Sequence, residues 1–334
     1  MLQHKLRPLT TNAWQQQLAE AVRDPRELLA LLELDTAQLP VSPAAMAQFA
    51  LRVPRGFVAR MNKGDPDDPL LRQVLPLADE MDQTPGFGTD PVGDHAAVLQ
   101  AGLLQKYHGR VLIMTTAACA IHCRYCFRRH FPYQEQGGRS SLWQDICARI
   151  AADPSITEVI LSGGDPLSLA DAPLRQLVTG LEQIPHVQRL RIHSRQPIVL
   201  PARVDAGLLD WLGQVSLKTV MVVHGNHANE IDEEVRSALA GLASIGVTLL
   251  NQAVLLRGVN DDVASLCRLS EALFDAGVMP YYLHLLDRVQ GAAHFEVDRA
   301  VAQGLVTAMR ERLPGYLVPR LVEEVAQQAY KQPL

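Results

Sequence analysis

The sequence predicts an α/β fold: a partial, TIM-like (β/α)6 barrel, with an N-terminal helical extension and an extended C-terminal tail. Three observations carry this reading. Six short β-branched or apolar runs recur, at residues 111–116, 158–161, 189–193, 219–223, 248–255 and 281–285. Each is followed by an amphipathic stretch, near 142–152, 169–183, 205–213, 229–244, 261–276 and 296–313. Strands alternating with helices form parallel βαβ units with right-handed crossovers, and six units are too few for a closed eight-fold barrel. The 334 residues are 48% hydrophobic, enough to bury one large core.

Residues 1–95 read as the extension, 96–313 as the barrel core and 314–334 as the tail. In the extension, Asn12 is expected to cap a helix through Trp14, Leu18 and Val22. Asp24-Pro25 opens another through Leu28, Leu29, Leu31 and Leu32, with Glu27 three residues after the cap. Pro54, Pro66, Pro69, Pro76, Pro85 and Pro91, with Gly86 and Gly88, make the rest a turn-rich connector. No chemistry is expected there, only a helical collar. Gly315, Pro319 and Pro333 mark the tail as extended.

Composition removes several classes of function. A formal net charge of −5 does not fit a strongly basic nucleic-acid surface. No apolar run reaches the roughly 18 residues of a membrane span, and no apolar signal region follows Met1-Leu2-Gln3-His4-Lys5. A cytoplasmic protein without nucleic-acid or membrane partners is expected. Five cysteines are an odd count, and three of them crowd together, which suits a metal site in a reducing compartment.

Those three are Cys119, Cys123 and Cys126, directly after the first predicted strand, in Cys119-Ala-Ile-His-Cys123-Arg-Tyr-Cys126. Thiolates bind soft metals, and three on a short loop can hold a [4Fe-4S] cluster with one iron left open. The competing reading is zinc, with His122 or His130 as fourth ligand. No second Cys-x-x-Cys pair supports it, and Cys147 and Cys267 fall on helix-like stretches. The three-then-two spacing resembles the radical S-adenosylmethionine superfamily. Leu161-Ser162-Gly163-Gly164-Asp165-Pro166, after the second strand, strengthens the likeness, since glycine pairs allow close backbone approach.

Further stretches resemble the lysine 2,3-aminomutase family. They are Cys126-Phe127-Arg128-Arg129, His193-Ser194-Arg195-Gln196-Pro197, His224-Gly225-Asn226-His227, Asn251-Gln252-Ala253-Val254-Leu255 and Pro280-Tyr281-Tyr282. Gly315-Tyr316-Leu317-Val318-Pro319 and Lys331-Gln332-Pro333 complete the match, which runs in order from about residue 106.

The resemblance implies a radical isomerase with three cofactors: a [4Fe-4S] cluster, S-adenosylmethionine and pyridoxal phosphate. It implies that Lys331 forms the Schiff base with pyridoxal phosphate, whose phosphate would meet Lys106 and Arg110. Ser162, Gly163, Gly164, Asp165, Tyr125 and Gln252 would bind S-adenosylmethionine, with His227 and Tyr282 lining the site. Arg128 would pair with the substrate carboxylate, and Asp287 and Glu324 with its distal ammonium. Free-lysine enzymes carry aspartate at the place of Glu324, and a glycine-rich run where this chain has Ala326-Gln327-Gln328-Ala329-Tyr330. The short form, with Asp262 where a zinc cysteine stands in longer relatives, resembles the bacterial enzyme that makes (R)-β-lysine for elongation factor P. Elongation factor P, the ligase that modifies it, and a flavodoxin-type electron donor are the implied partners. Two rivals are an aminomutase acting on glutamate and a zinc-stabilised binding module.

Overall fold

The computed structural model describes residues 13–35, 39–133 and 142–334. Its ten strands lie side by side in chain order. They are β1 (Val98–Gln100), β2 (Leu103–Tyr107), β3 (Arg110–Thr116), β4 (Glu158–Gly163) and β5 (Arg189–Ser194). β6 (Lys218–Val223), β7 (Thr248–Val254), β8 (Met279–His284), β9 (Arg320–Glu323) and β10 (Gln332–Pro333) follow. β3 to β9 are parallel, whereas β1, β2 and β10 run antiparallel to their neighbours. The six expected strands are all present, each followed by helix. No ladder joins β1 to β10, so the barrel is partial, as the sequence predicts.

The tail differs from expectation. Arg320–Glu323 joins the sheet as a seventh parallel strand, with Tyr282 opposite Arg320 and His284 opposite Val322. Gln332–Pro333 then folds back on it, with Gln332 opposite Glu323. Four residues are too few to show a period, and β9 takes its support from β8, which no local pattern reveals.

Period-two alternation builds a polar barrel interior. On β5, Leu190 and Ile192 are buried under the helices, while Arg189, Arg191 and His193 are only half-buried. Outside, the helix Asp171–Glu182 buries Leu174, Leu177, Val178 and Leu181, the spacing of one helical face. Asp205, Asp232, Asp262 and Asp298 each cap a helix by accepting a backbone N–H. Asp262, where the resemblance would place a zinc cysteine, caps its helix, accepting from Ser265 N at 2.9 Å.

In the collar, Asp24 caps the helix Pro25–Leu31 as expected. The expected cap Asn12 lies outside the described residues. Its helix, Ala13–Ala19, stops before Val22, which bridges Val53 instead. The collar also holds the cysteine loop. Arg52 O accepts from His122 N at 3.0 Å, and Gln73 O from Arg124 N at 2.9 Å. Buried Glu80 takes Arg124 at 2.6 and 2.8 Å and Arg129 at 2.6 Å. Among the described residues, no helix is long and apolar enough to cross a membrane.

Candidate active site

The cysteine loop leaves the carboxyl end of β3, where parallel barrels collect their chemistry. Burial, and then the neighbouring Asp165 and the other two cysteines, push the Cys119 thiol up. Burial and Cys123 push Cys126 up to about 11. Three thiols on one loop are a donor set suited to a strongly positive soft centre, which would favour the thiolates of Cys119 and Cys126 that burial disfavours. As the side chains stand, no three His, Cys, Asp or Glu groups among the described residues are gathered tightly enough to hold a metal ion. The fit therefore rests on the donor set. Each candidate fourth zinc ligand is tied to a carbonyl through one ring nitrogen, as a ligating histidine also is, so the choice against zinc rests on the cysteine spacing. His122 Nδ1 lies 2.8 Å from Ala50 O, and His130 Nε2 lies 3.1 Å from Gln290 O.

The glycine pair packs against the cysteine loop. A Cβ on Gly164 would stand 2.5 Å from Ala118 O, and one on Gly163 2.6 Å from Thr116 O. The approach these glycines permit is to the backbone of the cysteine loop, sealed by Gly164 N donating to Thr116 O at 2.7 Å. Asp165 is also committed within the protein. It accepts from Ser194 Oγ at 2.8 Å, Arg195 N at 2.8 Å and Leu167 N at 3.0 Å. Both its oxygens thus fix the ends of β4 and β5. Ser162 Oγ accepts from Arg128 Nη1 at 3.1 Å. Tyr125 accepts from Asn226 Nδ2 at 2.6 Å, and Gln252 Nε2 lies 3.3 Å from His224 Nε2. His227 spends its Nδ1 as a cap for Asn229 N.

Five charged side chains form one series of ion pairs that starts two residues after Cys126. Arg128 meets Asp94 at 2.7 Å, Asp94 meets Lys106 at 2.7 Å, Lys106 meets Glu324 at 3.0 Å, and Glu324 touches Lys331. Lys106 also donates to Val92 O at 3.0 Å. Two carboxylates and a carbonyl thus hold Lys106, the residue expected to meet a phosphate. Despite burial, Lys331 and Lys106 hold the Glu324 carboxyl down to about 2. Asp287 faces the same group without an ion-pair partner, and burial plus the Glu324 charge raise it to about 7. Arg128, Lys106, Asp287, Glu324 and Lys331 are therefore brought together.

Sequence reasoning missed Asp94, which lies in the connector, and it missed three histidines. His193, His224 and His284 face the interior, and burial lowers all three, His224 to about 3. His193 and His224 open stretches that carry the resemblance, and all three stand at the ends of β5, β6 and β8. His193 Nε2, His284 Nε2 and Arg110 Nε are buried without hydrogen-bond partners. Such orphaned atoms fit a polar, anionic guest between Arg110 and Lys331.

An open (β/α)6 barrel with a three-thiol loop after its first parallel strand defines a protein of the radical S-adenosylmethionine class. Comparisons with known proteins narrow this. A family model described as "4Fe-4S single cluster domain" matches residues 108–189. The chain is 53% identical over 322 residues to the L-lysine 2,3-aminomutase of Escherichia coli (strain K12), covering 96% of this chain and 94% of that protein. It is 32% identical over 327 residues to the L-lysine 2,3-aminomutase of Clostridium subterminale, covering 97% and 78%. Among solved structures, a radical SAM methyltransferase from Sphaerobacter thermophilus matches with TM-score 0.46 and 15% identity, covering 66% of this chain and 68% of that one. The chain belongs to the lysine 2,3-aminomutase family.

Proposed function

We propose that this protein converts (S)-lysine to (R)-β-lysine by moving the amino group from C2 to C3. The observation that carries this reading is the meeting of Lys331, Glu324 and Asp287 with Arg128 across one barrel interior. A cationic site for a carboxylate and an acidic site for a distal ammonium match the two ends of lysine. A glutamate substrate would need a basic distal group, which the acid pair does not offer. When bound, the cluster with S-adenosylmethionine supplies hydrogen abstraction, and pyridoxal phosphate supplies the π-system for nitrogen migration.

The chain's own residues supply attachment and orientation. Cys119, Cys123 and Cys126 would hold the cluster, and Lys331 would anchor pyridoxal phosphate with Arg110 toward its phosphate. Asp94 and Ser162 fix the Arg128 guanidinium, so a substrate carboxylate meets a cation already aimed. Glu324 changes partner. With pyridoxal phosphate bound, Lys331 would be committed to the cofactor, leaving Glu324, kept ionised by Lys106, to meet the substrate ammonium.

We infer further that the β-lysine serves modification of elongation factor P through a separate ligase, with a flavodoxin-type electron donor. Identity of 53% to the Escherichia coli relative, against 32% to the clostridial one, supports this reading. A reducing cytoplasm suits five unpaired cysteines.

The test is turnover. Protein reconstituted anaerobically with iron, sulfide, S-adenosylmethionine, pyridoxal phosphate and reductant is given (S)-lysine, and products are resolved by chiral chromatography. The (R)-β-lysine isomer is expected. Lys331→Ala is expected to keep its iron and lose both pyridoxal phosphate absorbance and turnover. No β-lysine from doubly loaded wild type would overturn the substrate, and an active Lys331→Ala would overturn the anchor.

A further inference from the structure

We propose that Arg195 is a positioning residue that sets the reduction potential of the cluster, acting through Cys123. The inference rests on the proposed cluster at Cys119, Cys123 and Cys126.

Arg195 follows β5 and is 6% exposed. Its Nη1 donates to Cys123 Sγ at 2.7 Å. Its Nη2 donates to Gln73 Oε1 at 2.6 Å and to Glu230 Oε2 at 3.0 Å. Its backbone N is tied to Asp165 at 2.8 Å, and its guanidinium carbon lies 5.5 Å from the Phe57 ring centroid and 5.7 Å from that of Tyr125. The cation is therefore fixed from the collar, from the cysteine loop and from the loop after β6. The three arginines of the cysteine loop are spent elsewhere, Arg128 on Asp94 and Ser162. Arg124 and Arg129 both face buried Glu80 and backbone carbonyls. Glu230 is fully buried, and its other oxygen takes Asn226 N at 2.9 Å, His227 N at 3.1 Å and Gln73 Nε2 at 3.2 Å.

A one-electron reduction adds negative charge to the cluster and its sulfurs. A nearby cation that also donates N–H to a ligating sulfur stabilises the reduced form more than the oxidised one, and burial weakens the screening. Removing Arg195 should make the cluster harder to reduce. Removing the Glu230 charge, which offsets Arg195, should make it easier. Loosening of the fold alone has no reason to produce opposite shifts.

The test uses the reconstituted full-length protein without S-adenosylmethionine or lysine, titrated anaerobically with dithionite through redox mediators. Electron paramagnetic resonance of the reduced cluster gives the ratio of reduced to oxidised form. At the wild-type midpoint, Arg195→Gln is expected to lower that ratio about tenfold, which is about 59 mV for one electron. Glu230→Gln is expected to raise it. Should Arg195→Gln not fold, Arg195→Lys, which keeps charge without the planar fork, is expected to lower it by a smaller factor. Ratios within about twofold of wild type, or shifts of one sign in both the Arg195 and Glu230 variants, would overturn the assignment. A wild type that holds no four-iron cluster would instead overturn the proposed function, and this inference with it.

Discussion

Asp287 and Glu324 share the same lysine neighbours yet sit at opposite ends of the carboxylate range, at about 7 and about 2. Glu324 has two ammonium partners, whereas Asp287 has burial and the Glu324 charge against it. An acid must be ionised to hold a substrate ammonium, so Asp287 makes lysine binding sensitive near neutrality. The KM for lysine is expected to rise as pH falls through about 7, by up to about tenfold per unit. Asp287→Asn is expected to raise KM roughly tenfold or more at pH 8, to remove this pH dependence, and to leave S-adenosylmethionine affinity unchanged. Equal losses for both ligands would sink the contact. Arg128 and Lys331 could be named from the sequence because motifs carry them, and Asp287 and Glu324 because the resemblance runs on through their positions. Asp94 could not, since Val92-Gly93-Asp94 reads as one more turn, and its partners Lys106 and Arg128 come from distant positions.

Among elements, the six β/α units were legible because each strand and helix repeats its own period over enough residues. The contact between the β4 loop and the cysteine loop was not, because Gly163-Gly164 tells only that something comes close. The close neighbour is the Thr116–Ala118 backbone, which cannot give way as a flexible side chain could. Gly163 adds a φ of 121°, a conformation that side chains rarely adopt. Gly164→Ala is expected to destabilise the protein by about 2–4 kcal/mol and to lower its iron content after reconstitution. Urea unfolding with an iron assay checks both, and unchanged iron would mean the loop position does not depend on this packing.

At the scale of the molecule, Lys106 on β2 and Glu324 just after β9 come from opposite margins of one open sheet. Their 3.0 Å contact requires the sheet to curl until its margins nearly meet. Side-chain charge, rather than a ladder, spans the gap. Gly93 packs there too, where a Cβ would stand 3.0 Å from that of Ala326. Because Glu324 is held well below its ordinary 4.5, its stabilisation is fully present above about pH 4.5 and is lost as pH falls toward 2. Glu324→Gln is expected to cost on the order of 3 kcal/mol at pH 7 in the cofactor-free protein, with the difference vanishing in strong acid. Thermal unfolding across pH checks this, and a constant difference would exclude the ion pairs as its cause.

The order of residues along the chain gives the two halves of the site different birthdays. Cys126 leaves the ribosome 205 residues before Lys331. At 5–20 residues per second that is a lead of roughly 10–40 s. Iron–sulfur assembly can thus begin on a nascent chain whose pyridoxal anchor has not been translated. A frameshift in the last few codons would yield a protein that takes up iron normally and fails only at its second cofactor.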